Sequence, residues 1–382
     1  MLIDNEHYYE NEPTNKLGII VHPSCAELGK NIDQFIKGWR GRRNDRETFL
    51  IDSKCARFGS GEAKAVINET IRGMDIYIIA DVLNYSLSYE ICGYTNRMSP
   101  DDIYADVKRL IMAVGGKASR ITVVMPFLYE SRQHRRSGRE SLDCAYALQE
   151  LVSMGVDDII TFDAHDPRIV NATPLAGFDN IMPTYQLTKS LLNSTPDLKI
   201  DSKHLMAISP DEGAMHRAIY FASALGIDVG MFYKRRDYSK VVDGRNPIVA
   251  HEFLGDDVKG KDVIIVDDMI ASGESVIDIA KELKGRGANR IFCIATFGIF
   301  TKGLEVFDKA YNEGLVHKVI TTNGIYQNPD LFGRAWYEGS DISKYIALII
   351  DSLNHDMPIS NIIGHFEKIQ ARLDEYKEKA NK

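Results

Sequence analysis

Short apolar runs rich in Val, Ile, Phe and Tyr recur along the whole chain, and they predict buried strands. They occupy residues 17–22, 75–81, 120–126, 157–163, 204–209, 228–233, 262–268, 289–297 and 317–321. Amphipathic stretches lie between many of these runs and predict helices. Examples are residues 101–114, 141–154, 212–225 and 275–287. Strands that alternate with helices predict parallel sheets with helices on both faces.

The chain is long enough for two domains, because its 382 residues exceed what one hydrophobic core usually supports. The segment MDIYIIADVLNYS in the first half echoes KDVIIVDDMIASG in the second, each being a strand that ends in Asp before a loop. Any two buried parallel strands look alike, so the echo supports only the division into two. The expected parts are a tail over 1–16, an N-terminal domain over 17–180, a C-terminal domain over 181–355, and a helix and tail over 356–382.

Composition narrows the class of protein. Hydrophobic residues make up 44% and charged residues 26%, as in ordinary globular proteins. The net charge of −8 argues against a general nucleic-acid binder, which needs a basic surface. Five scattered cysteines without a CxxC pair suggest reduced thiols in a cytoplasmic protein. The first residues are polar and no apolar run approaches about 18 residues, so we expect that the protein is neither exported nor bound to a membrane.

The strongest chemical signal is the segment DVIIVDDMIASGES at residues 262–275. A buried strand delivers two adjacent carboxylates, which can accept hydrogen bonds from the two ring hydroxyls of a ribose. The small residues that follow open a helix, where free N–H groups and the helix dipole favour a phosphate. The expected ribose-phosphate contacts are Asp267, Asp268, Ser272, Gly273, Glu274 and Ser275. A metal site or a plain capped helix is the alternative to this interpretation.

This segment resembles the phosphoribosyl-diphosphate motif that type I phosphoribosyltransferases share with the ribose-phosphate pyrophosphokinases, or PRPP synthetases. The family usually has Asp or Glu where Ala271 stands, and Thr where Ser272 and Ser275 stand. Serine keeps both hydroxyls, whereas Ala271 removes a polar group. Further segments, in the same order along the chain, resemble the synthetases alone.

The segment at 57–79, which begins RFGSGEAKAV, looks like the nucleotide loop of the synthetases. The resemblance implies that Phe58 flanks adenine and that Glu62 reads its polar edge, while Ser60 replaces a family carboxylate. Taken alone, Phe58 is better explained as a core aromatic residue.

The segment VVMPFLYESRQHRRSGRES at 123–141 follows a strand and is rich in arginine. The resemblance implies that Arg132 and Gln133 contact ATP, and His134 stands where the family has Asp. A solvated basic face or an arm for nucleic acid is the alternative. An acidic chain with one short basic cluster favours a small polyanion instead.

Three more segments resemble synthetase motifs near the ends of strands: TFDAHDPRI at 161–169, AISPDEGAMHRA at 207–218 and MFYKRRDYS at 231–239. The resemblance implies that His165 holds the catalytic magnesium or the triphosphate, with magnesium the preferred assignment, that Asp211 is a metal ligand, and that Lys234 and Arg236 are catalytic. Taken singly, His165 is a structural histidine, Asp211 a helix N-cap and the basic triplet a solvated turn.

The resemblance, which covers about residues 45 to 355, implies an α/β fold with two tandem type I phosphoribosyltransferase-like domains, each a largely parallel sheet flanked by helices. It also implies Mg²⁺-dependent transfer of a diphosphoryl group from ATP to ribose 5-phosphate in a homo-oligomer built from dimers, up to a hexamer. No G-K-[ST] sequence occurs, so a Walker A loop is not expected to hold the ATP. The competing interpretations are a phosphoribosyltransferase and a catalytically silent, synthetase-like regulatory subunit.

Overall fold

The computed structural model describes residues 12–41, 46–236, 248–364 and 366–380. The described residues form two compact units. Unit 1 contains those up to Pro183 together with Asn323–Tyr326 and Asp341–Gly364, and unit 2 contains the remainder. Of the expected tails, residues 1–11 and 381–382 lie outside the described residues. In the described part of the chain, no helix has the length and apolar character needed to cross a bilayer.

Strands and helices alternate through both units, as the apolar pattern predicts. The strands are β1 (Leu17–Val21), β2 (Ser53–Arg57), β3 (Ala63–Ile67), β4 (Asp75–Ile79), β5 (Ser88–Ile91), β6 (Tyr94–Arg97), β7 (Arg120–Val124), β8 (Asp158–Phe162), β9 (Gly177–Ile181), β10 (Leu205–Ser209), β11 (Asp228–Arg236), β12 (Ile248–Leu254), β13 (Asp262–Ile270), β14 (Ile291–Gly298), β15 (Lys318–Thr322) and β16 (Tyr337–Ser340). The helices are α1 (Ala26–Arg40), α2 (Pro100–Val114), α3 (Asp143–Ser153), α4 (Thr184–Ser194), α5 (Met215–Leu225), α6 (Glu274–Gly285), α7 (Glu305–Asn312), α8 (Ser343–Asn354), α9 (Ser360–Ile363) and α10 (Phe366–Ala380).

Unit 1 is built on a five-stranded parallel sheet in the order β1-β4-β7-β8-β9. Two antiparallel hairpins, β2–β3 and β5–β6, stand apart from it. The β5–β6 hairpin runs directly into α2, which begins with a capping box between Ser99 and Asp102 and has Pro100 in its first turn. The capping residues in the sequence therefore mark the point at which the helix begins in the structure.

Unit 2 is built on a seven-stranded sheet in the order β12-β11-β10-β13-β14-β15-β16, parallel except for the edge strand β12. Both faces of this sheet are covered. Val263 and Ile265 of β13 pack with α6 and α7, while Ile264 and Val266 pack with α4, α5 and α10. Burial on two faces explains why β13 is apolar without alternation. The predicted α/β class is confirmed.

The two strands whose sequences echo each other, β4 and β13, carry the same ion pair. Asp75 at the start of β4 accepts from Arg120 of the neighbouring strand at 2.6 Å. Asp262 at the start of β13 accepts from Arg290, just before the neighbouring strand, at 2.7 Å. Each aspartate lies against the next strand of its sheet, so the echo extends from sequence to tertiary contacts.

A buried carboxylic acid follows β4. Asp81 is 1% exposed, and its side chain accepts hydrogen bonds from the backbone N–H groups of Leu83 at 2.9 Å and Tyr326 at 2.6 Å. Burial raises the pKa of Asp81 to about 7, against the opposing effect of these two N–H donors. The folded protein therefore keeps a proton on Asp81 that the unfolded chain releases at lower pH.

We expect this proton to make stability depend on pH. Because the pKa of Asp81 is raised on folding, its contribution to the free energy of unfolding falls as pH rises from about 4 to about 7. Between pH 5 and pH 8, the free energy of unfolding of the unaltered protein should fall by about 2 kcal/mol more than that of Asp81→Asn, which has no proton to release at this position. Urea unfolding of both proteins at the two pH values measures the difference. Equal losses would show that the Asp81 pKa is not raised.

Candidate functional site

The acidic cluster of unit 2 lies on β13. Asp268 is buried and Asp267 is half-buried, and the backbone N–H of Asp268 donates to Oδ1 of Asp267 at 2.9 Å. Burial, the adjacent charge of Asp268 and, to a smaller extent, Asp211 raise the pKa of Asp267 well above its usual range. The structure thus brings Asp211 close to the two strand aspartates, because β10 pairs with β13 in parallel and Asp211 follows the carboxyl end of β10.

The predicted phosphate loop connects β13 to α6. The helix begins at Glu274, and Gly273 precedes it with a φ of 82°. The first N–H groups of α6 have no partner within the helix, which suits an anion at this point. The carboxylate of Glu274 binds the ammonium group of Lys302 at 2.7 Å, so its charge is neutralised by a neighbour. Ser272 is half-buried and Ser275 is exposed, within the same turn.

Gly273 is required at its position for two reasons. Its positive φ disfavours any residue with a side chain, and a Cβ there would overlap with Cε2 of the Phe307 ring. Gly273→Ala should therefore displace the loop and weaken binding of the ligand predicted from the sequence, ribose 5-phosphate, by about tenfold, with a stability loss of about 1 to 3 kcal/mol. Calorimetric titration and thermal unfolding measure the two effects. Gly285→Ala is the control, because a Cβ at Gly285 meets nothing within 4 Å, and equal losses in both variants would contradict the prediction.

The predicted nucleotide loop of unit 1 is the turn between β2 and β3. Phe58 is 49% exposed, and the ammonium group of Lys64 lies 5.8 Å from the centre of its ring. The N–H of Phe58 donates to the carbonyl of Glu62 at 2.8 Å, which closes the turn. Ser60, which replaces a family carboxylate, donates its hydroxyl to the Glu62 carboxylate at 2.8 Å. Phe58 is therefore not a core residue, and its ring is accessible to a planar ligand.

The structure joins the arginine-rich segment to the histidine segment within unit 1. The backbone N–H of His165 donates to the buried hydroxyl of Ser131 at 3.0 Å. The ring of His134 lies 5.4 Å from that of His165, and its Nε2 lies 3.3 Å from the Asp166 carboxylate. Arg132 and Gln133, which lie between Ser131 and His134 in the sequence, are exposed. His134 thus replaces the family Asp with a side chain that contacts the histidine segment.

Lys234 and Arg236 lie in the last residues of β11, and their side chains are outside the described residues. In the backbone, Lys234 pairs with His251 of β12, and the register shifts between Arg235 and Arg236. Strand β11 also runs parallel to β10, with Met231 opposite Ser209. Strand β11 therefore continues to Lys234 and Arg236 beyond the carboxyl end of β10, and Asp211 follows that same end of β10.

The carboxylates of unit 2 have the chemistry of a magnesium site. Mg²⁺ prefers oxygen ligands, and Asp211 and Asp267 supply them within one group of like charges. A bound cation would relieve the repulsion that raises the pKa of Asp267. His165, the other predicted metal ligand, belongs to unit 1, whereas Asp211 belongs to unit 2.

The sequence analysis did not identify a group formed by the buried residues His22 and Asp106 and the half-buried Cys55. Their donor atoms lie within 4.8 Å of one another, the spacing of metal ligands. However, the guanidinium groups of Arg57 and Arg109 bind the Asp106 carboxylate at 2.9 and 2.7 Å. Burial also raises the pKa of Cys55 to about 12, so its thiol stays protonated. The group is a buried ion network that holds the β2–β3 hairpin to α2.

Comparisons with known proteins agree with the motif order. The family model for the N-terminal domain of ribose phosphate pyrophosphokinase matches residues 17–155, and the model for the phosphoribosyl synthetase-associated domain matches residues 252–363. The crystal structure of phosphoribosylpyrophosphate synthetase from Mycobacterium smegmatis covers 89% of this chain and 99% of its own, with a TM-score of 0.72. The two sequences are 21% identical, so this match supports the fold alone.

Curated relatives extend the match over most of the chain. The ribose-phosphate pyrophosphokinase of Vibrio parahaemolyticus is 31% identical over 314 residues, which cover 81% of this chain and 90% of the relative. The ribose-phosphate pyrophosphokinase of Chlorobaculum tepidum is 30% identical over 362 residues, or 90% of this chain and 98% of the relative. With this identity and coverage, the chain belongs to the ribose-phosphate pyrophosphokinase family and is an enzyme of that class.

Proposed function

We propose that this chain transfers the diphosphoryl group of ATP to the anomeric hydroxyl of ribose 5-phosphate, forming AMP and 5-phosphoribosyl 1-diphosphate for nucleotide biosynthesis. Family membership supports the reaction class. The observation that carries the assignment is the group of Asp211, Asp267 and Asp268 beside the loop that opens α6. This group offers carboxylates for sugar hydroxyls and a cation, next to N–H groups for a phosphate.

Ribose 5-phosphate would bind in unit 2. Asp267 and Asp268 accept hydrogen bonds from the two ring hydroxyls, and the loop of Ser272 to Ser275 binds the 5-phosphate at the start of α6. The pKa of Asp267 is raised by burial and by the charge of Asp268, which both disfavour its ionised form. Hydrogen bonds donated by the sugar hydroxyls would stabilise that form and offset part of this cost. The sugar is therefore held by its hydroxyls and its phosphate at once.

ATP would bind through residues of unit 1. Phe58 presents an exposed ring for stacking on adenine, and Glu62 accepts from its amino group. Arg132 and Gln133 contact the phosphates, and Ser131 ties their segment to His165. The positive charge of Arg132 suits a triphosphate that no Walker A loop holds.

The reaction would be an in-line attack of the anomeric hydroxyl on the β-phosphorus, with AMP as the leaving group. Phosphoryl transfer depends mainly on positioning and on neutralising charge. Lys234 and Arg236 would stabilise charge on the moving oxygens and the leaving group, and Asp211 and His165 would each be a ligand for Mg²⁺. Magnesium, when bound, neutralises charge on the triphosphate oxygens.

The decisive experiment is phosphorus NMR of the protein with ribose 5-phosphate, ATP and Mg²⁺. New diphosphate resonances on the sugar, together with AMP, are expected. Omitting ribose 5-phosphate is the control, because AMP should then not form. If neither product appears although ATP binds, the chain is a silent, synthetase-like subunit. If diphosphate is released only when a nucleobase and preformed phosphoribosyl diphosphate are supplied, it is a phosphoribosyltransferase.

We also propose that the enzyme is a cytoplasmic homo-oligomer built from dimers, up to a hexamer, and that the boundary between its two phosphoribosyltransferase-like domains falls between residues 180 and 181 of the sequence. Family resemblance supports the assembly. The change of unit between Pro183 and Thr184 supports a division close to that point. Sedimentation velocity measures the oligomeric state, and a monomer at all concentrations would contradict it.

A further inference from the structure

The β5–β6 hairpin of unit 1 has a tightly defined tip. Ile91 pairs with Tyr94 across a two-residue connection, in which Cys92 and Gly93 have φ values of 50° and 83°. Two positive φ values are typical of a type I′ turn, which matches the twist of antiparallel strands. Positive φ is unfavourable for a residue with a side chain such as Cys92. The conformation therefore needs support from surrounding contacts.

That support comes from the predicted nucleotide loop. The N–H of Cys92 donates to the carbonyl of Gly59 at 2.8 Å. Beside it, a Cβ on Gly61 would lie 2.6 Å from Cδ1 of Ile91, so Ile91 occupies the space that a side chain at Gly61 would need. Gly61 itself has a φ of 91°. The tip of one hairpin thus packs on the turn of the other, at the residues between Phe58 and Glu62.

The base of the contact is anchored as well. The guanidinium group of Arg57, at the end of β2, lies 4.8 Å from the centre of the Tyr89 ring on β5. The Tyr89 hydroxyl donates to the Asp102 carboxylate in the first turn of α2 at 3.3 Å, and Arg57 binds Asp106 of the same helix at 2.9 Å. Both hairpins are therefore fixed to one helix.

We propose that the β5–β6 hairpin is a positioning element for nucleotide binding, which holds the β2–β3 turn in the conformation that presents Phe58 and Glu62 to the adenine ring. A two-stranded hairpin is marginally stable by itself, so the turn needs an external contact to stay ordered. A turn ordered before the ligand arrives lowers the entropy cost of binding. Ile91 and the Cys92 backbone supply this order without touching the nucleotide. The inference rests on the proposed binding of ATP by Phe58 and Glu62.

The test is a graded pair of variants at Ile91 with a matched control. Ile91→Val deletes Cδ1, the atom that faces Gly61, and Ile91→Ala removes the rest of the contact. We expect faster hydrogen exchange at the amides of Gly59 to Glu62, and ATP affinity lowered about threefold in Ile91→Val and about tenfold in Ile91→Ala. Affinity for ribose 5-phosphate and the melting temperature should stay nearly unchanged. Tyr94→Ala is the control, since Tyr94 is 77% exposed on the same hairpin.

Each outcome bears on a different step. Unchanged exchange in Ile91→Ala overturns the positioning contact, and faster exchange with unchanged ATP affinity overturns its link to the nucleotide. Equal effects in Tyr94→Ala overturn the role of Ile91. Titration of ATP by calorimetry does not require turnover. A chain that binds ATP but forms no phosphoribosyl diphosphate would therefore contradict the proposed reaction and leave this inference standing.

Discussion

Lys234→Ala is expected to lower turnover by about 100-fold or more, while ribose 5-phosphate affinity stays within about twofold. The reason is that removing one preorganised positive charge weakens the stabilisation of the transition state and leaves the binding of the sugar unchanged. Lys234 lies on β11 beyond the position that pairs with the end of β10, and Asp211 follows the end of β10. Steady-state rates with saturating substrates measure the first quantity, and calorimetric titration of ribose 5-phosphate measures the second.

The matched control for this prediction is Lys281→Ala. Lys281 is an exposed lysine of α6 that pairs with Asp278 on the surface, so its removal changes the net charge equally without reaching the proposed site. Turnover in Lys281→Ala should match that of the unaltered enzyme. A Lys234→Ala protein that keeps full turnover would remove Lys234 from the mechanism, and one that also loses ribose 5-phosphate binding would assign it to the sugar instead.

Asp267→Asn should weaken ribose 5-phosphate binding by about 10- to 100-fold, because asparagine replaces one acceptor oxygen with an N–H donor and leaves a sugar hydroxyl unpaired, at a cost of about 1 to 3 kcal/mol. Asparagine otherwise keeps the shape of the side chain. ATP affinity should change little if adenine is held through Phe58 and Glu62, as proposed. Calorimetric titration with each ligand separates the two effects.

Asp278→Asn is the control for Asp267→Asn, because Asp278 is an exposed carboxylate on α6 of the same unit. It should bind both ligands as the unaltered enzyme does. If Asp267→Asn binds ribose 5-phosphate normally, the paired carboxylates do not recognise the sugar hydroxyls, and the acidic cluster would be a cation site only. If it loses both ligands equally, the substitution has damaged the fold.

The apolar runs predicted the buried strands because those strands are covered on both faces. Strand β13 is an example, since Val263 to Val266 alternate between two hydrophobic clusters and this run therefore has no polar face. The strands of the β2–β3 hairpin were not predicted, because they are not covered on both faces. In β2 and β3 no side chain is buried, so SKCAR and AKAVI carry no continuous apolar signal. Pairing with a partner strand, which no single segment reveals, makes them strands.

The predicted nucleotide loop shows the same limit of sequence-based prediction in one residue. An isolated Phe is more often a core residue, and only its motif favoured exposure for Phe58. The structure shows it 49% exposed at the tip of a turn that another hairpin supports. The β5–β6 hairpin was not predicted because its strands are largely exposed and contain no apolar run. The His22 group was not predicted because its three residues are far apart in the sequence.

Contiguous residues were sufficient to predict the α/β class and the strand-loop-helix segment at 262–275, because both depend on local sequence: an apolar strand, two acids and a glycine that opens a helix. The proximity of Asp211 to Asp267 and the hydrogen bond between His165 and Ser131 depend on the tertiary structure. Those contacts follow from which strands are neighbours in each sheet. Strand order is set by long-range backbone pairing, and backbone groups are the same in every residue, so the pairing leaves little trace in the local pattern of side chains.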